Sequence, residues 1–312
     1  MGDVLIGACS WTDRQLVSSG WYPRGRRDAE GRLRYYASRL PVVEVDAGYY
    51  ALPSRRNSEL WVERTPDGFR FDVKAFSLLT GHPTRPQALP ADLRGAAGTG
   101  PLRPGRAGEG LLDEVWGRFA DAVEPLRKAG RFGAVLFQFP PWFAPGGPAE
   151  AALEACVRRA GDWPLAVEFR HPDWWAPHQA DATHALLSAL GASAVGTDMV
   201  QDLSASLPPI APVTRPALAV VRFHGRSRAW GRGSKEDRFR YDYSAAELAA
   251  WVPRLRRAAA RADELHVLFN NCCADAAVRA AEQMRRLLAA PAGSEARPGL
   301  TGPSWAGGFS CP

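Results

Sequence analysis

The sequence has no apolar run of about 18 residues, which predicts that no helix of the chain spans a membrane. The chain runs directly into Val4–Ile6 without a basic region followed by a long apolar core, so we expect no signal peptide. Its 5 cysteines show no CxxC spacing and are too few for a disulfide framework in 312 residues. This cysteine usage favours a reducing, cytoplasmic location.

Several cofactor-binding and catalytic motifs are also absent. No GxGxxG follows the first apolar run, where positions 7–11 read G-A-C-S-W. The chain contains no Walker loop, no serine-hydrolase elbow and no HExxH pair. We therefore predict no organic cofactor, and the binding of a divalent metal remains an alternative.

The composition that remains is that of a large globular chain. Hydrophobic residues make up 46% of the sequence, and charged residues make up 23%. The formal net charge is +6, with Arg far outnumbering Lys. A GC-rich genome explains much of this bias, and attraction to phosphates or nucleic acid is the functional alternative. Charge alone does not separate the two.

Short β-rich runs alternate with helical patterns along the chain, which predicts a parallel sheet. Eight such units favour a (β/α)8 TIM barrel, and a doubly wound open sheet is disfavoured because the dinucleotide fingerprint is missing. We expect one domain over 1–289, with a flexible Gly/Pro-rich loop at 81–110 and a loose tail at 290–312. The predicted strands are Val4–Ala8, Val42–Asp46, Phe69–Ala75, Gly133–Phe139, Leu165–Arg170, Ala192–Asp198, Ala217–His224 and Glu264–Asn270.

Polar side chains stand at the carboxyl ends of nearly all these strands. In L-A-V-V-R-F-H-G at 218–225, Arg222 and His224 share one face because residues two apart in a strand point the same way. In a barrel these ends meet at one mouth, where enzymes of the fold carry out chemistry. The pattern therefore predicts a ligand site, and structural ion pairs are the alternative for any single residue.

The residue types at this mouth suggest roles. Lys74, Arg170 and Arg222 suit a phosphate or carboxylate. The predicted proton-handling residues are Glu44, Glu168, Asp198 and His224. Further predicted substrate contacts are Trp11, Asp46, Tyr50, His82, Gln138, His171, Trp230, Asn270 and Asn271.

Two other ligands fit part of the pattern. If a metal binds, Glu44, Glu168, Asp198 and His224 are its expected ligands, although nearby Arg and Lys would repel a cation. The segment 226–243 interleaves cationic and aromatic residues. This pattern suits the binding of a nucleic-acid strand by phosphate contact and base stacking. The alternative is a solvated loop whose aromatic residues pack on the barrel.

Seven motifs resemble the DUF72 family, also called UPF0759 or YecE-like. They run in the same order from about residue 4 to 288. The motifs are V-E-V-D-A-G-Y-Y (43–50), W-V-E-R-T-P-D-G-F-R-F-D-V-K (61–74), L-F-Q-F-P-P (136–141), V-E-F-R-H-P-D-W (167–174), V-R-F-H-G (221–225) and F-N-N (269–271), beside G-A-C-S-W (7–11). The resemblance implies a TIM barrel, and it implies no reaction because the family's function is not established.

The chain departs from the family pattern at two places. Typical members open with a Gly-Thr-Ser-Gly-Trp type segment and carry an Asn-Ser-Thr-Phe-Tyr type stretch after the second-strand Glu. Here the first reads G-A-C-S-W, and Asp46 begins the second. Asp46 adds a charge at the mouth, which favours a ligand different from that of typical members.

These observations predict an enzyme of the hydrolase, lyase or isomerase class that acts on a phosphorylated or otherwise anionic, hydroxyl-rich substrate. The alternatives are metal-dependent nucleic-acid processing, as in apurinic endonucleases, and a non-catalytic barrel that binds an anionic metabolite or nucleic acid. The sequence gives no oligomeric state.

Overall fold

A computed structural model describes residues 2–98, 100–230 and 232–290. Eight parallel strands form a closed barrel in which each strand pairs with the next and the eighth pairs with the first. The strands are β1 (Asp3–Ala8), β2 (Val42–Val45), β3 (Arg70–Lys74), β4 (Phe132–Gln138), β5 (Leu165–Glu168), β6 (Ser193–Asp198), β7 (Ala219–Phe223) and β8 (Glu264–Phe269). The predicted TIM barrel is confirmed, and the strand limits differ from the predicted ones by about one or two residues.

Helices surround the barrel. They are α1 (Arg14–Ser18), α2 (Ala29–Arg39), α3 (Arg55–Glu63), α4 (Pro104–Ala107), α5 (Glu109–Lys128), α6 (Gly147–Ala160), α7 (Ala180–Ala189), α8 (Lys235–Phe239), α9 (Ala245–Ala259) and α10 (Ala276–Ala289). Their helical spacing explains the packing: in α5, for example, Val115, Phe119 and Val123 recur every four residues and are all fully buried. In the part of the chain that the structure describes, no helix is both long and apolar enough to cross a bilayer.

Strand parity decides which side chains enter the barrel. A compact apolar cluster fills the interior with Val42, Ala134, Leu136, Ala166, Val195, Leu218, Val220 and Leu268. Side chains two positions apart in a strand point the same way. The residues two positions after Val42, Leu136, Ala166 and Val220 therefore also point into the interior, nearer the carboxyl ends of the strands. They are Glu44, Gln138, Glu168 and Arg222. The apolar layer is therefore the floor of a polar mouth.

The opposite end of the barrel is closed by charged side chains. His266 Nδ1 lies 2.8 Å from Asp72 Oδ2, and its Nε2 lies 2.6 Å from Glu264 Oε1. Arg70 Nε reaches the same Glu264 oxygen at 3.3 Å. Gly133 makes room for this cluster, because a Cβ there would lie 2.4 Å from Asp72 Oδ1. Asp72 thus belongs to the amino-terminal end of the barrel.

The segment 81–110 contains more regular structure than the sequence predicts. It has 3-10 turns at Pro86–Ala88 and Ala91–Ala97, and Thr84 and Leu102 exchange backbone hydrogen bonds of 2.9 and 2.8 Å. Leu89 and Leu102 anchor the segment because both are buried. Its mobility stays a prediction, and the predicted tail beyond Ala290 lies outside the described residues.

Candidate functional site at the barrel mouth

Arg222 is the hub of the mouth. Its Nε and Nη2 donate to the two oxygens of Glu44 at 2.8 and 2.7 Å, and its Nη1 donates to Glu168 Oε2 at 2.5 Å. All three side chains are at most 1% exposed. Burial opposes the charge of Arg222, but the two carboxylates outweigh it and hold the pKa of Arg222 above its ordinary value. Arg222, Glu44 and Glu168 therefore form structural ion pairs, the alternative to a ligand site that the sequence analysis gave for single residues.

Glu168 contacts three basic neighbours. Besides Arg222, Arg170 Nε lies 2.6 Å from Glu168 Oε1, and His224 Nε2 lies 3.2 Å from the same oxygen. Burial alone would raise the pKa of Glu168, but Arg170 and Arg222 outweigh burial and lower it well below its usual range. Glu168 therefore stays ionised at neutral pH, which makes it a poor proton donor and a weak base.

His224 is neutral and engaged at both ring nitrogens. Burial, followed by the charge of Arg170, lowers the pKa of His224 to about 3. The Asn270 side-chain nitrogen lies 3.0 Å from His224 Nδ1. If the amide donates to Nδ1, the Nε2–H donates to Glu168, a tautomer that satisfies both contacts. His224 therefore orients Glu168 rather than shuttling protons near neutral pH.

Cys9 joins the site although the sequence did not single it out. Its thiol donates to Glu44 Oε2 at 3.3 Å, and Arg222 Nη2 lies 3.7 Å from its sulfur. Burial, reinforced by Glu44, raises the pKa of the thiol well above its usual value, so Cys9 stays protonated. The signal was available in the sequence, because Cys9 shares the parity of the inward-facing Leu5.

Three cationic side chains converge on the Gln138 side-chain oxygen. Lys74 Nζ donates at 3.1 Å, Arg170 Nη2 at 3.3 Å and Arg222 Nη1 at 3.4 Å. Burial, followed by the charge of Arg222, lowers the pKa of Lys74 to about 8. The two glutamates at this point are paired with arginines, so the three cationic side chains face only two carboxylates here.

An aromatic row leads from Lys74 toward solvent. Lys74 Nζ lies 4.7 Å from the Tyr49 ring centroid, and the Tyr49 and His82 rings are 5.2 Å apart. The His82 ring in turn lies 6.0 Å from that of Trp142, which is 56% exposed. Tyr50, which is 51% exposed, packs on Tyr49. The predicted contacts Tyr50 and His82 therefore lie along this row.

The loop after β7 lies against the other side of the mouth. The Trp230 ring lies 5.4 Å from the Arg170 guanidinium carbon and 5.9 Å from the His224 ring. Phe239 packs on Trp230 at 5.1 Å. The structure thus brings the predicted residue Trp230 next to Arg170 and His224.

Asp198 lies apart from the other predicted proton-handling residues. Its carboxylate accepts two hydrogen bonds from Arg226, one from Tyr243 Oη at 2.7 Å and one from Trp251 Nε1 at 2.6 Å. The reason is parity: Val195 points into the barrel, so Asp198 points out toward the helices. We correct the sequence interpretation here: Asp198 anchors the β7 loop and α9.

Of four further predicted contacts, three make packing or hydrogen-bond contacts within the fold and one lines a cavity. The His171 Nδ1 accepts from the backbone of Asp173 and so begins a 3-10 turn. Trp11 packs edge-on against Trp61 on the helix side. Asn271 donates to the Tyr241 carbonyl at 2.8 Å. Asp46 lines a neighbouring cavity of about 70 Å³, beside Cys9 and Asn270.

The predicted metal ligands are not assembled as a coordination site. Arg222 lies between Glu44 and Glu168, and Asp198 faces away. Among the described residues, no group of three or more His, Cys, Asp or Glu side chains is arranged to hold a metal ion.

Comparison with known proteins supports the implied family. The model of a family described as "Protein of unknown function DUF72" matches residues 5–301. The chain belongs to the DUF72 family. The UPF0759 protein YunF of Bacillus subtilis (strain 168) is 31% identical to it over 291 residues, which are 91% of this chain and 94% of that protein.

Solved DUF72 structures share the barrel. A crystal structure from Enterococcus faecalis V583 matches with 26% identity and a TM-score of 0.73, covering 93% of this chain and 99% of its own. One from Thermotoga maritima MSB8 matches with 27% identity and a TM-score of 0.73, covering 92% of this chain and 99% of its own. The family description names no reaction.

The buried hydrogen bonds of Asp198 allow a testable prediction. Asp198→Asn removes the charge that pairs with Arg226 and places an amide against the buried Trp251 and Tyr243 donors. We expect the free energy of unfolding to fall by about 1–3 kcal/mol, as for other buried hydrogen bonds to charged groups. Urea denaturation measures the loss, and Asp173→Asn, at a 58% exposed side chain, is the matched control. Unchanged stability would contradict the anchoring role.

Proposed function

We propose that this DUF72 barrel is an enzyme that binds a small, anionic, hydroxyl-bearing molecule at its mouth. The observation that carries the proposal is the convergence of Lys74, Arg170 and Arg222 on the single oxygen of Gln138. An amide oxygen satisfies such donors less well than a charged oxygen does. A phosphate or carboxylate entering beside Gln138 gains charge-assisted hydrogen bonds from Lys74 and Arg170.

The carboxylates support this site instead of performing the proton transfers themselves. Glu44 fixes Arg222 through two hydrogen bonds, and Glu168 holds Arg222 and Arg170. The proton-handling roles expected for Glu44, Glu168 and His224 therefore move to Lys74. Burial lowers the pKa of Lys74 to about 8, toward the neutral range in which a general acid or base works.

The remainder of the substrate has two kinds of neighbours. Gln138 and Asn270 present amide groups to hydroxyls. The Tyr49 and Trp142 rings form an apolar wall on which a sugar or another ring can stack. This arrangement supports a phosphorylated sugar, a hydroxy acid or a nucleotide, and it favours lyase, isomerase or hydrolase chemistry without an organic cofactor.

A thermal-shift panel tests the proposal. Phosphorylated sugars, hydroxy acids and nucleotides are compared with their uncharged counterparts at equal concentration. We expect some anionic compounds to raise the melting temperature and their uncharged counterparts to have no effect. Lys74→Met should weaken the best binder by about tenfold or more, which corresponds to one hydrogen bond to a charged group.

The matched control is Lys128→Met, at a lysine that is 70% exposed on α5. It should bind like the wild type. Equal binding of charged and uncharged compounds, or full affinity in Lys74→Met, would contradict the proposal.

The nucleic-acid alternative has less support. Arg226 of the 226–243 segment is held by Asp198 and Glu247, and Tyr243 is only 5% exposed. These side chains pack on the barrel instead of facing a strand of nucleic acid. Nucleic-acid binding and a cytoplasmic location stay predictions.

A further inference from the structure

The placement of Lys74 is unusual for a lysine that only binds anions. It is the last residue of β3, it is half-buried, and its Nζ is fixed between Gln138 Oε1 and the Tyr49 ring. Gly48 makes this possible, because a Cβ there would lie 2.6 Å from the Lys74 carbonyl oxygen. The turn that carries Tyr49 therefore packs directly on the Lys74 backbone and orders the side chain.

The surroundings of Lys74 favour the neutral amine. Glu44 and Glu168 are each held by arginine, whereas the groups placed on Nζ are an amide oxygen and an aromatic face. Arg170 and Arg222 donate to the same Gln138 oxygen, so two further positive charges lie within two hydrogen bonds of Nζ. Burial and these cations lower the pKa of Lys74 to about 8, so a large share is uncharged in mildly alkaline solution. A desolvated lysine beside another cation is a recognised form of activated nucleophile.

We propose that the Lys74 amine is a nucleophile that forms a Schiff base with an aldehyde or ketone group of the anionic substrate. This inference rests on the proposed function, because Arg170 must hold the phosphate or carboxylate of the same molecule. The substrate class is therefore a small carbonyl compound with an anionic group a few bonds from the carbonyl carbon. The hydroxyl-bearing part would lie toward Tyr49 and Trp142.

The step balances without a cofactor. The Nζ lone pair bonds to the carbonyl carbon, and the π pair of the C=O bond moves to oxygen. A proton moves from nitrogen to that oxygen, which gives a neutral carbinolamine. The hydroxyl then takes up one proton from solvent and leaves as water, and the nitrogen lone pair forms the C=N⁺ bond. The resulting iminium can accept the electron pair of a bond at the neighbouring carbon, which fits lyase or isomerase chemistry better than hydrolysis.

Reductive trapping tests this inference. The full chain is incubated with cyanoborohydride and glyoxylate, a carboxylate-bearing aldehyde, and the adduct is located by peptide mass spectrometry. The chain has lysines only at 74, 128 and 235, so the sites are readily distinguished. We expect modification at Lys74 to be about tenfold faster than at Lys128, with an initial rate that rises through pH 8. Uncharged glycolaldehyde should lose most of this preference.

Lys74→Arg separates the two proposals, because arginine keeps the positive charge and cannot form the Schiff base. If Lys74→Arg binds the anionic compounds of the thermal-shift panel but shows no adduct at position 74, and Lys128→Arg traps like the wild type, both proposals hold. Equal labelling of Lys74 and Lys128 in the wild type overturns the Schiff base. If the wild type also binds the anionic compounds, the anion site stands. If the wild type does not prefer anionic compounds over their uncharged counterparts, the proposed function itself is overturned.

Discussion

Arg222→Met is expected to lower the free energy of unfolding by about 3–5 kcal/mol, the usual effect of removing one partner from a buried ion pair. Glu44 and Glu168 are both fully buried, and Arg222 neutralises each of them. Methionine fills much of the same volume but donates no hydrogen bond. Of the hydrogen bonds to Glu44 described above, the one from the Cys9 thiol then remains. The loss should therefore come from uncompensated charge instead of from a cavity.

Urea denaturation measures this effect. Arg34→Met is the matched control, because Arg34 pairs with Glu30 on the surface of α2 at 43% exposure and should cost less than about 1 kcal/mol. Adding Glu44→Gln and Glu168→Gln to Arg222→Met should recover part of the loss, since the two side chains that lose Arg222 then carry no charge. A loss as small as that of Arg34→Met would contradict the account of the cluster.

Stability should also fall as pH rises from about 6.5 to 9, because of His266. Burial alone would lower its pKa, but Asp72 and Glu264 outweigh burial and raise it to about 9. The folded state then binds a proton that the unfolded state has released, so the stabilisation is complete below pH 6.5 and is lost as pH rises through 9. A difference of this size corresponds to about 3 kcal/mol. Arg70 Nε lies on the other side of Glu264, 3.3 Å from Oε1.

The measurement is a series of urea titrations at pH 6, 7, 8 and 9 on the wild type and on His266→Gln. The wild type should lose stability over this range relative to the variant. Lys74 has the opposite sign, because its lowered pKa makes stability rise with pH between about 8 and 10.5. A Lys74→Met background removes that contribution. Parallel pH profiles for the two proteins would show that His266 is not charged in the folded state.

Much of the mouth could be predicted because it depends on local parity. Alternation in β7 places Arg222 and His224 on one face, and barrel closure brings that face to the others. Asp198 was misplaced for the same kind of reason: β6 is fully buried on both faces, so the sequence does not show which face is inward, and an error of one residue exchanges them.

The pairing inside the mouth could not be predicted. Arg222 lies 178 residues from Glu44 and 54 from Glu168, and only the closed barrel decides that it pairs with both. Tyr49 was missed because it lies in a 3-10 turn, where strand periodicity gives no information. The lowered pKa of Lys74 follows first from burial in the closed barrel and then from the charge of Arg222, and neither has a signal in the sequence.

The most direct test of the central claim is the position of an oxyanion in a crystal soaked with tungstate, whose anomalous scattering marks it without ambiguity. The account predicts a peak at the mouth within hydrogen-bond distance of Lys74 Nζ and Arg170, and its loss in Lys74→Met. Peaks confined to surface arginines, with none beside Gln138, would contradict an anion-binding mouth.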